Sequence, residues 1–151
     1  RRVLEPLGLD AKPPELEGAS VADALLEPTV IYVRAALELL RSDIAVHGLA
    51  HITGGGLLNL TRLGAGIGWR VDAPLAVPPV CELIGRLGDV PRAELWEVFN
   101  MGIGFVCVVP AELADDAVAL LGARHPGTAR IGEVTDRAGT VEVEQLTLGT
   151  T

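Results

Sequence analysis

The sequence predicts an α+β fold in which helices pack on the faces of a mixed β-sheet. Of its 151 residues, 49% are hydrophobic and only 3% aromatic, and 18 glycines and 10 prolines divide the chain into short segments. These segments alternate between helical and strand-like spacing of apolar residues, which indicates helices and strands around one aliphatic core. A chain of this length fits a single domain, 1–151.

The first part of the chain predicts a loop followed by two helices. Arg1–Leu4 has helical character with no capping residue ahead of it, so we expect further chain upstream. Residues 9–19 are rich in proline and charge, which is typical of a loop. Ser20 is a suitable N-cap for a short helix ending at Pro28. Apolar residues then recur at helical spacing over residues 31–41.

The middle of the chain predicts a strand, a glycine turn and a helix in succession. Residues 44–52 are apolar and alternate as a strand does, and they lead directly into a Thr-Gly-Gly-Gly segment at 53–56. Residues 57–60 suit a helix. A further strand is predicted at Gly66–Val71.

The remaining elements follow from proline boundaries and apolar spacing. Ile103–Val109 is continuously apolar, as in a strand covered on both faces, and we expect it at the centre of the sheet. The alternation slips beyond Gln145, which predicts a frayed tail at 145–151. The other predicted elements are helices at 78–87, 91–99 and 111–123, and strands at 131–135 and 141–144 on either side of the turn Asp136–Gly139.

The charge of the chain argues against two classes of partner. It has 12 basic and 20 acidic residues and a net charge of -8, so phosphate backbones and anionic membrane surfaces repel it. No apolar run reaches the roughly 18 residues that a membrane-spanning helix needs, and no signal peptide is recognisable. We therefore expect no nucleic-acid partner and no membrane partner.

The two cysteines, Cys81 and Cys107, each lie in an apolar segment. Two buried free thiols are expected rather than a disulfide, which indicates a reducing, cytoplasmic setting. Neither cysteine has an electropositive sequence environment, so covalent nucleophilic catalysis has no support.

The glycine turn is the sharpest candidate site. Three consecutive residues without a Cβ let the backbone turn tightly and approach a ligand, and the N–H groups at a helix start favour an anion such as phosphate. The segment matches neither of the common glycine-rich nucleotide-binding fingerprints. A flexible strand-to-helix turn without a ligand is therefore the alternative.

Two histidines are further candidates. Alternation along the predicted strand places His47, His51 and Thr53 on one face. Two histidines four residues apart are compatible with half of a metal site, but no cysteine or carboxylate stands at ligand spacing around them, so no metal site is expected. A pair of hydrogen-bonded structural histidines is the alternative to a role in substrate binding.

Four sequence blocks, in their order and spacing, resemble the C-terminal half of the AIR synthetase family, the PurM-like proteins. The blocks are Leu25–Thr29 with Ile31–Val33, Val46–Gly56, Pro78–Pro79 and Phe99–Gly104. The resemblance extends to about Val134. The chain departs from the family pattern at three positions: Val30 stands where many relatives have arginine, Arg34 where many have lysine, and Asn59 comes one residue sooner.

The resemblance implies a fold with α/β/α layers and a role as the C-terminal half of a two-domain, ATP-dependent cyclo-ligase of purine biosynthesis. That enzyme converts formylglycinamidine ribonucleotide to aminoimidazole ribonucleotide. The N-terminal domain, absent here, would be the partner of this chain and would bind most of the ATP and Mg²⁺. The chain alone would then be inactive and hold no tightly bound cofactor, and the full-length enzyme would be a cytoplasmic homodimer.

The resemblance also implies which residues face a phosphorylated small-molecule substrate. They are Thr53, Gly54, Gly55 and Gly56, with His47, His51 and Asn100 as further lining residues. Asn100 is equally explained by turn formation before Gly102. Two alternatives to the cyclo-ligase stay open. One is a related ATP-dependent enzyme of the formylglycinamidine synthase, selenophosphate synthetase or thiamine-phosphate kinase type, and the other is a non-catalytic module that binds phosphate ligands.

Overall fold

The β-structure of the computed structural model, which describes residues 2–149, falls into two sheets. The strands are β1 (Gly48–His51), β2 (Gly68–Val71), β3 (Phe105–Val108), β4 (Glu133–Thr135), β5 (Val141–Val143) and β6 (Leu146–Leu148). β1 and β3 form an antiparallel ribbon. The other four strands form a mixed sheet in the order β4-β2-β5-β6, in which only β2 and β5 run parallel.

Helices precede β1 and separate the successive strands as far as β4. They are α1 (Val21–Leu25), α2 (Val33–Arg41), α3 (Pro79–Gly88), α4 (Arg92–Val98) and α5 (Ala114–Gly122), with 3-10 helices at Glu5–Leu7, Pro14–Leu16, Gly56–Leu63 and Ala111–Leu113. Ser20 caps α1 as predicted, because its hydroxyl accepts a hydrogen bond from the Asp23 N–H and the Asp23 carboxylate accepts one from the Ser20 N–H. The predicted α+β class is confirmed. Over residues 2–149, no helix is long and apolar enough to cross a membrane.

The main core fills the space between the Gly56–Leu63 helix, α4 and the four-stranded sheet. All three elements contribute side chains that are at most 1% exposed: Leu57, Leu60, Trp96, Val141, Val143 and Leu148. Burial of this apolar surface is the main favourable term in folding. The position of α4 against both the 3-10 helix and the sheet is therefore set by the core.

The beginning of the chain differs from the helical expectation for Arg1–Leu4. Residues 2–4 form a turn, and Arg1 lies outside the described residues. Leu4 and Leu16 are buried against Leu83 of α3, so this segment is held by apolar contacts rather than by a helix of its own.

The expectation that the apolar run Ile103–Val109 forms the centre of a sheet is wrong. Within the described residues its strand, β3, pairs with β1 alone, and all four residues of β3 are only half-buried. The run is apolar for another reason. Its residues line a large cavity instead of packing against a second layer. A continuous apolar pattern reports contact with apolar surroundings on both faces, and it does not report a strand's place in the sheet.

The chain after the turn Asp136–Gly139 also differs from expectation. The strands on either side of this turn do not pair with each other, because β2 lies between β4 and β5. Residues 146–148 are not frayed, since they form β6, pair with β5 and bury Leu148. The slip in alternation is the two-residue turn Glu144–Gln145, which reverses the chain. Residues 150–151 of the predicted tail lie outside the described residues.

Arg92 holds that turn in place. Its guanidinium donates to both carboxylate oxygens of Glu144, at 3.2 and 2.9 Å, and to Glu82 at 2.7 Å, and it lies 5.7 Å from the centre of the Trp96 ring. Glu144 has a φ of 54°, an unusual conformation for a residue other than glycine. The hydrogen bonds from Arg92 lower the pKa of Glu144 below its ordinary value of 4.5.

We predict that Leu148→Ala lowers the free energy of unfolding by about 2–5 kcal/mol, because it removes a fully buried side chain from the core. Leu9→Ala is the matched control, since Leu9 is 63% exposed, and it is expected to change stability by less than about 0.5 kcal/mol. Urea denaturation followed by circular dichroism measures both. Equal effects of the two substitutions would mean that the end of the chain is not part of the core.

We predict a loss of stability in acid that depends on Arg92. A carboxyl group whose pKa is lowered in the folded state stabilises the fold above its ordinary pKa of 4.5 and loses that contribution as the pH falls through the lower folded value. The pair is partly exposed, so the expected contribution is below about 1 kcal/mol. Between about pH 6 and pH 3, the free energy of unfolding should fall less steeply for Arg92→Gln than for the unchanged chain. Parallel curves would contradict the assignment.

Candidate functional site

A cleft of about 530 Å³ lies at one end of the β1-β3 ribbon. Segments that are far apart in the sequence form its walls: residues 27–30 with Tyr32, residues 51–53, Pro78, and Asn100 with Gly102 and Gly104. A hydrogen bond of 2.9 Å from the Ile52 N–H to the Gly104 carbonyl extends the ribbon up to the cleft. The ribbon therefore brings the segment before the glycine turn next to the segment that precedes β3.

The glycine turn itself requires glycine at Gly56. Its φ is 51°, and a Cβ there would overlap with the carbonyl oxygen of Trp96 and lie 2.8 Å from that of Phe99. Gly55 also has a positive φ, of 101°. The turn thus packs directly on the backbone at the end of α4, where a side chain has no space.

Asn59 fixes the conformation of the turn from inside the protein. It is a polar residue that is only 4% exposed, and its Oδ1 accepts a hydrogen bond from the Thr53 N–H at 2.8 Å. Its Nδ2 donates to the Gly54 carbonyl at 3.3 Å, and the Gly56 N–H donates to the Thr53 carbonyl at 2.9 Å. Two of the N–H groups that the sequence suggested for a phosphate, those of Thr53 and Gly56, are therefore used within the turn.

Thr53 and Gly54 remain on the surface of the turn. Both are exposed, and a Cβ at Gly54 would meet nothing within 4 Å. Gly56, by contrast, is buried and supports the turn from behind. Thr53 and Gly54 are therefore accessible to a ligand, whereas the buried Gly56 determines the backbone conformation of the turn.

The two candidate histidines have different positions. His51 lines the cleft, with its ring 5.9 Å from that of Tyr32 and 6.2 Å from that of Phe105. His47 precedes β1 by one residue and is absent from the cleft lining, since four residues of strand span about 13 Å. The structure therefore places His51, and not His47, among the residues that line the cleft.

Asn100 lines the cleft and also shapes its own turn. Its Oδ1 accepts a hydrogen bond of 3.1 Å from the Gly102 N–H, the arrangement that the turn interpretation predicts. The residue is exposed. The structure brings Asn100 together with His51 and Thr53 in one cleft and leaves His47 outside it.

The sequence-based selection missed Glu27, Thr29 and Tyr32, which also line the cleft. All three belong to the first block that carries the family resemblance, and that block was the available signal. Tyr32 stacks on Phe105 at 5.2 Å between ring centres, and partial burial raises the pKa of its hydroxyl, so it stays protonated at neutral pH. A Cβ at Gly104 would overlap with that hydroxyl, which explains the glycine.

The chemistry available in the cleft is that of binding and orientation. The described part of the chain has no group of three histidine, cysteine or acidic residues arranged to hold a metal ion. Both cysteines are free, and burial raises the pKa of Cys107 to about 11, so that its thiol is protonated and unreactive at neutral pH. The cleft offers hydroxyl, amide and imidazole groups with one carboxylate, that of Glu27.

Residues 4–144 match the family model described as AIR synthase related protein, C-terminal domain. The chain is 48% identical over 130 residues to a phosphoribosylformylglycinamidine cyclo-ligase of Methanothermobacter thermautotrophicus, a match covering 85% of the chain and 37% of that protein. Proteins of the same name are 46% identical in Thermococcus kodakarensis, with 92% of the chain and 40% of the relative covered, and 38% identical in a Picosynechococcus species, with 93% and 43% covered. The chain thus spans less than half the length of these relatives.

Among solved structures, the hydrogenase maturation protein HypE has a similar fold. Its TM-score is 0.53 at 23% identity, and the match covers 72% of this chain and 36% of HypE. At this level of identity the likeness concerns the fold alone.

We predict that Gly56→Ala lowers the free energy of unfolding by at least about 2 kcal/mol, because the added Cβ overlaps with the backbone of α4 at a positive φ. Gly54→Ala is the control two residues away, with open space around the added methyl group, and should cost less than about 1 kcal/mol. Thermal and urea unfolding provide the measurement. A tolerated Gly56→Ala would show that the turn does not pack on α4.

Proposed function

The chain belongs to the family of AIR synthase related proteins, as their C-terminal domain, and we propose that it forms one wall of the active-site cleft of a phosphoribosylformylglycinamidine cyclo-ligase. The observation that carries the proposal is the shared name of relatives that are 38–48% identical over 85–93% of the chain. A cleft built from the segments that carry the family resemblance supports it further. In the proposed reaction, formylglycinamidine ribonucleotide and ATP yield aminoimidazole ribonucleotide, ADP and phosphate.

In this proposal the chain binds and orients the phosphorylated substrate. The exposed backbone at Gly54 and the Thr53 hydroxyl suit a phosphate, and His51 and Asn100 add donors beside them. The carboxylate of Glu27 suits a substrate N–H group, since it repels phosphate. Gly55 and Gly56 contribute by allowing the backbone conformation of the turn. His47 has no part in the proposed site.

ATP and Mg²⁺ belong, in the same proposal, to the part of the enzyme outside this chain. The described residues of this chain do not fit a metal ion, so we assign them no step through Mg²⁺. ATP supplies the phosphoryl group that makes the formyl oxygen a good leaving group before ring closure. The residues of this chain contribute by holding the substrate in position, which is a large part of catalysis when two groups must meet.

We also propose that the N-terminal part of the enzyme is the partner of this chain and that the complete protein works as a cytoplasmic homodimer. Each relative is more than twice as long as the segment that this chain matches, which leaves room for a further domain. The net charge of -8 and the two free cysteines agree with a partner that is neither nucleic acid nor membrane and with a reducing compartment.

We predict that this chain has no ring-closure activity alone and gains it when mixed with a separately expressed N-terminal half of the same enzyme. The assay follows ADP release and formation of aminoimidazole ribonucleotide. In the mixture, Thr53→Val should lower kcat/KM about tenfold or more, since it removes a hydroxyl at the proposed phosphate site. Thr147→Val is the control, because Thr147 is an exposed residue of β6 in the other sheet. Silence of the mixture, with association verified by sedimentation, would refute the proposal.

A further inference from the structure

Helix α2 has two apolar faces on opposite sides, and only one of them is covered. Ala35 and Leu39 are buried on the inner side, where α2 packs on α5 and borders the apolar cavity of about 720 Å³ behind the cleft. On the outer side, Val33, Leu37 and Leu40 recur at intervals of four and three residues, so they share one face of the helix. A surface helix usually carries polar residues on its outer side. The second apolar face therefore indicates a surface that a partner covers.

The orientation of α2 is fixed, so its outer face cannot turn inward. Leu39 is fully buried, and its neighbour Glu38 accepts a hydrogen bond of 2.6 Å from the guanidinium of Arg124 on α5. A rotation that buried Leu37 and Leu40 would bring Leu39 into the solvent and break this hydrogen bond. The exposure of the outer face is therefore a consequence of how α2 packs on α5.

The outer face of α2 continues into the wall of the cleft. Val30 and Ile31 lie directly before Tyr32 and the helix, and Val30 also lines the cleft. We call Val30, Ile31, Val33, Leu37 and Leu40 the α2 patch, and each of these residues is 41–78% exposed. Single exposed apolar residues are common on monomeric proteins, whereas a group of large ones marks an interaction surface.

The cleft indicates which partner covers the α2 patch. In the proposed function, this chain forms one wall of the active-site cleft and the rest of the enzyme supplies the other. The segment that matches this chain makes up only 37–43% of the relatives, so the additional part of each relative is longer than that segment. A partner that closes the cleft at Val30 lies next to Ile31 and the beginning of α2.

We propose that the α2 patch is the docking surface for the N-terminal half of the enzyme, which covers Val33, Leu37 and Leu40 with an apolar surface of its own. The identity of this partner rests on the proposed function. Because residues 27–30 line the cleft and lead into α2, docking at the patch also holds this wall of the cleft in place.

The first test measures binding of this chain to the separately expressed N-terminal half by titration calorimetry. Leu37→Glu should weaken binding at least about tenfold, because it places a charge in an apolar contact. Glutamate forms helices readily, and circular dichroism verifies that the variant folds.

Leu87→Glu is the matched control and should change binding by less than about twofold. Leu87 is also a leucine in a helix and is 38% exposed. It lies near the end of α3, about 13 Å along the helix from Pro78 at the cleft.

The second test uses the complete enzyme, so it does not require the N-terminal half to fold by itself. Val33→Cys should react with a maleimide at least about tenfold more slowly in the complete enzyme than in a dilute solution of this chain, because the partner covers position 33. Leu87→Cys should react at the same rate in both. The native thiols add little background, since Cys81 is buried and the pKa of Cys107 is raised to about 11.

Unchanged binding of Leu37→Glu, or equal labelling of Val33→Cys in the two proteins, would overturn the proposal. So would sedimentation showing that Leu37→Glu abolishes self-association of this chain while binding to the N-terminal half is unchanged, because the patch would then belong to a second copy. Neither test measures ring closure. An inactive mixture that shows the predicted losses would therefore refute the proposed function and support this contact.

Discussion

The contact between the glycine turn and the end of α4 is the constraint on which the rest of the structure depends. Gly56 lies against the carbonyl oxygens of Trp96 and Phe99 at a distance that excludes any side chain. The chain leaves α4 at this point and continues through Asn100 into β3, which pairs back with β1. One close backbone contact therefore joins the turn that follows β1 to the end of α4, which leads into β3. Asn59 stabilises the turn with hydrogen bonds to Thr53 and Gly54.

The cleft is a consequence of this arrangement of β1, the glycine turn, α4 and β3. Because β1 and β3 are paired and their connecting segments are held together, His51, Thr53 and Asn100 meet although they come from segments about fifty residues apart. The groups gathered there bind and orient, and within the described residues they include neither a metal cluster nor a reactive thiol. This composition agrees with the proposed role of the chain, which is to position a substrate rather than to supply the reacting groups.

Tyr32 connects the cleft with the apolar cavity behind it. Its ring is stacked on Phe105 and its hydroxyl occupies the space that a side chain at position 104 would need. A core of the usual packing density has no space of this size. The cavity lies between the β1-β3 ribbon and the larger sheet, where the two sheets do not pack tightly against each other. The same cavity explains why the apolar strand β3 is only half-buried.

The sequence by itself determined the local features of this protein. Short segments of sequence specify the Ser20 cap, the helix that begins after Pro78 and the glycine turn, because capping residues, proline and glycine act through neighbouring residues. Short segments also carry the family resemblance. Only the tertiary structure decided that β2 separates β4 from β5, that Leu148 is core, and that His51 and not His47 reaches the cleft. Apolar periodicity reports which face of a segment is buried, whereas strand partners and cavities depend on contacts between residues distant in the chain.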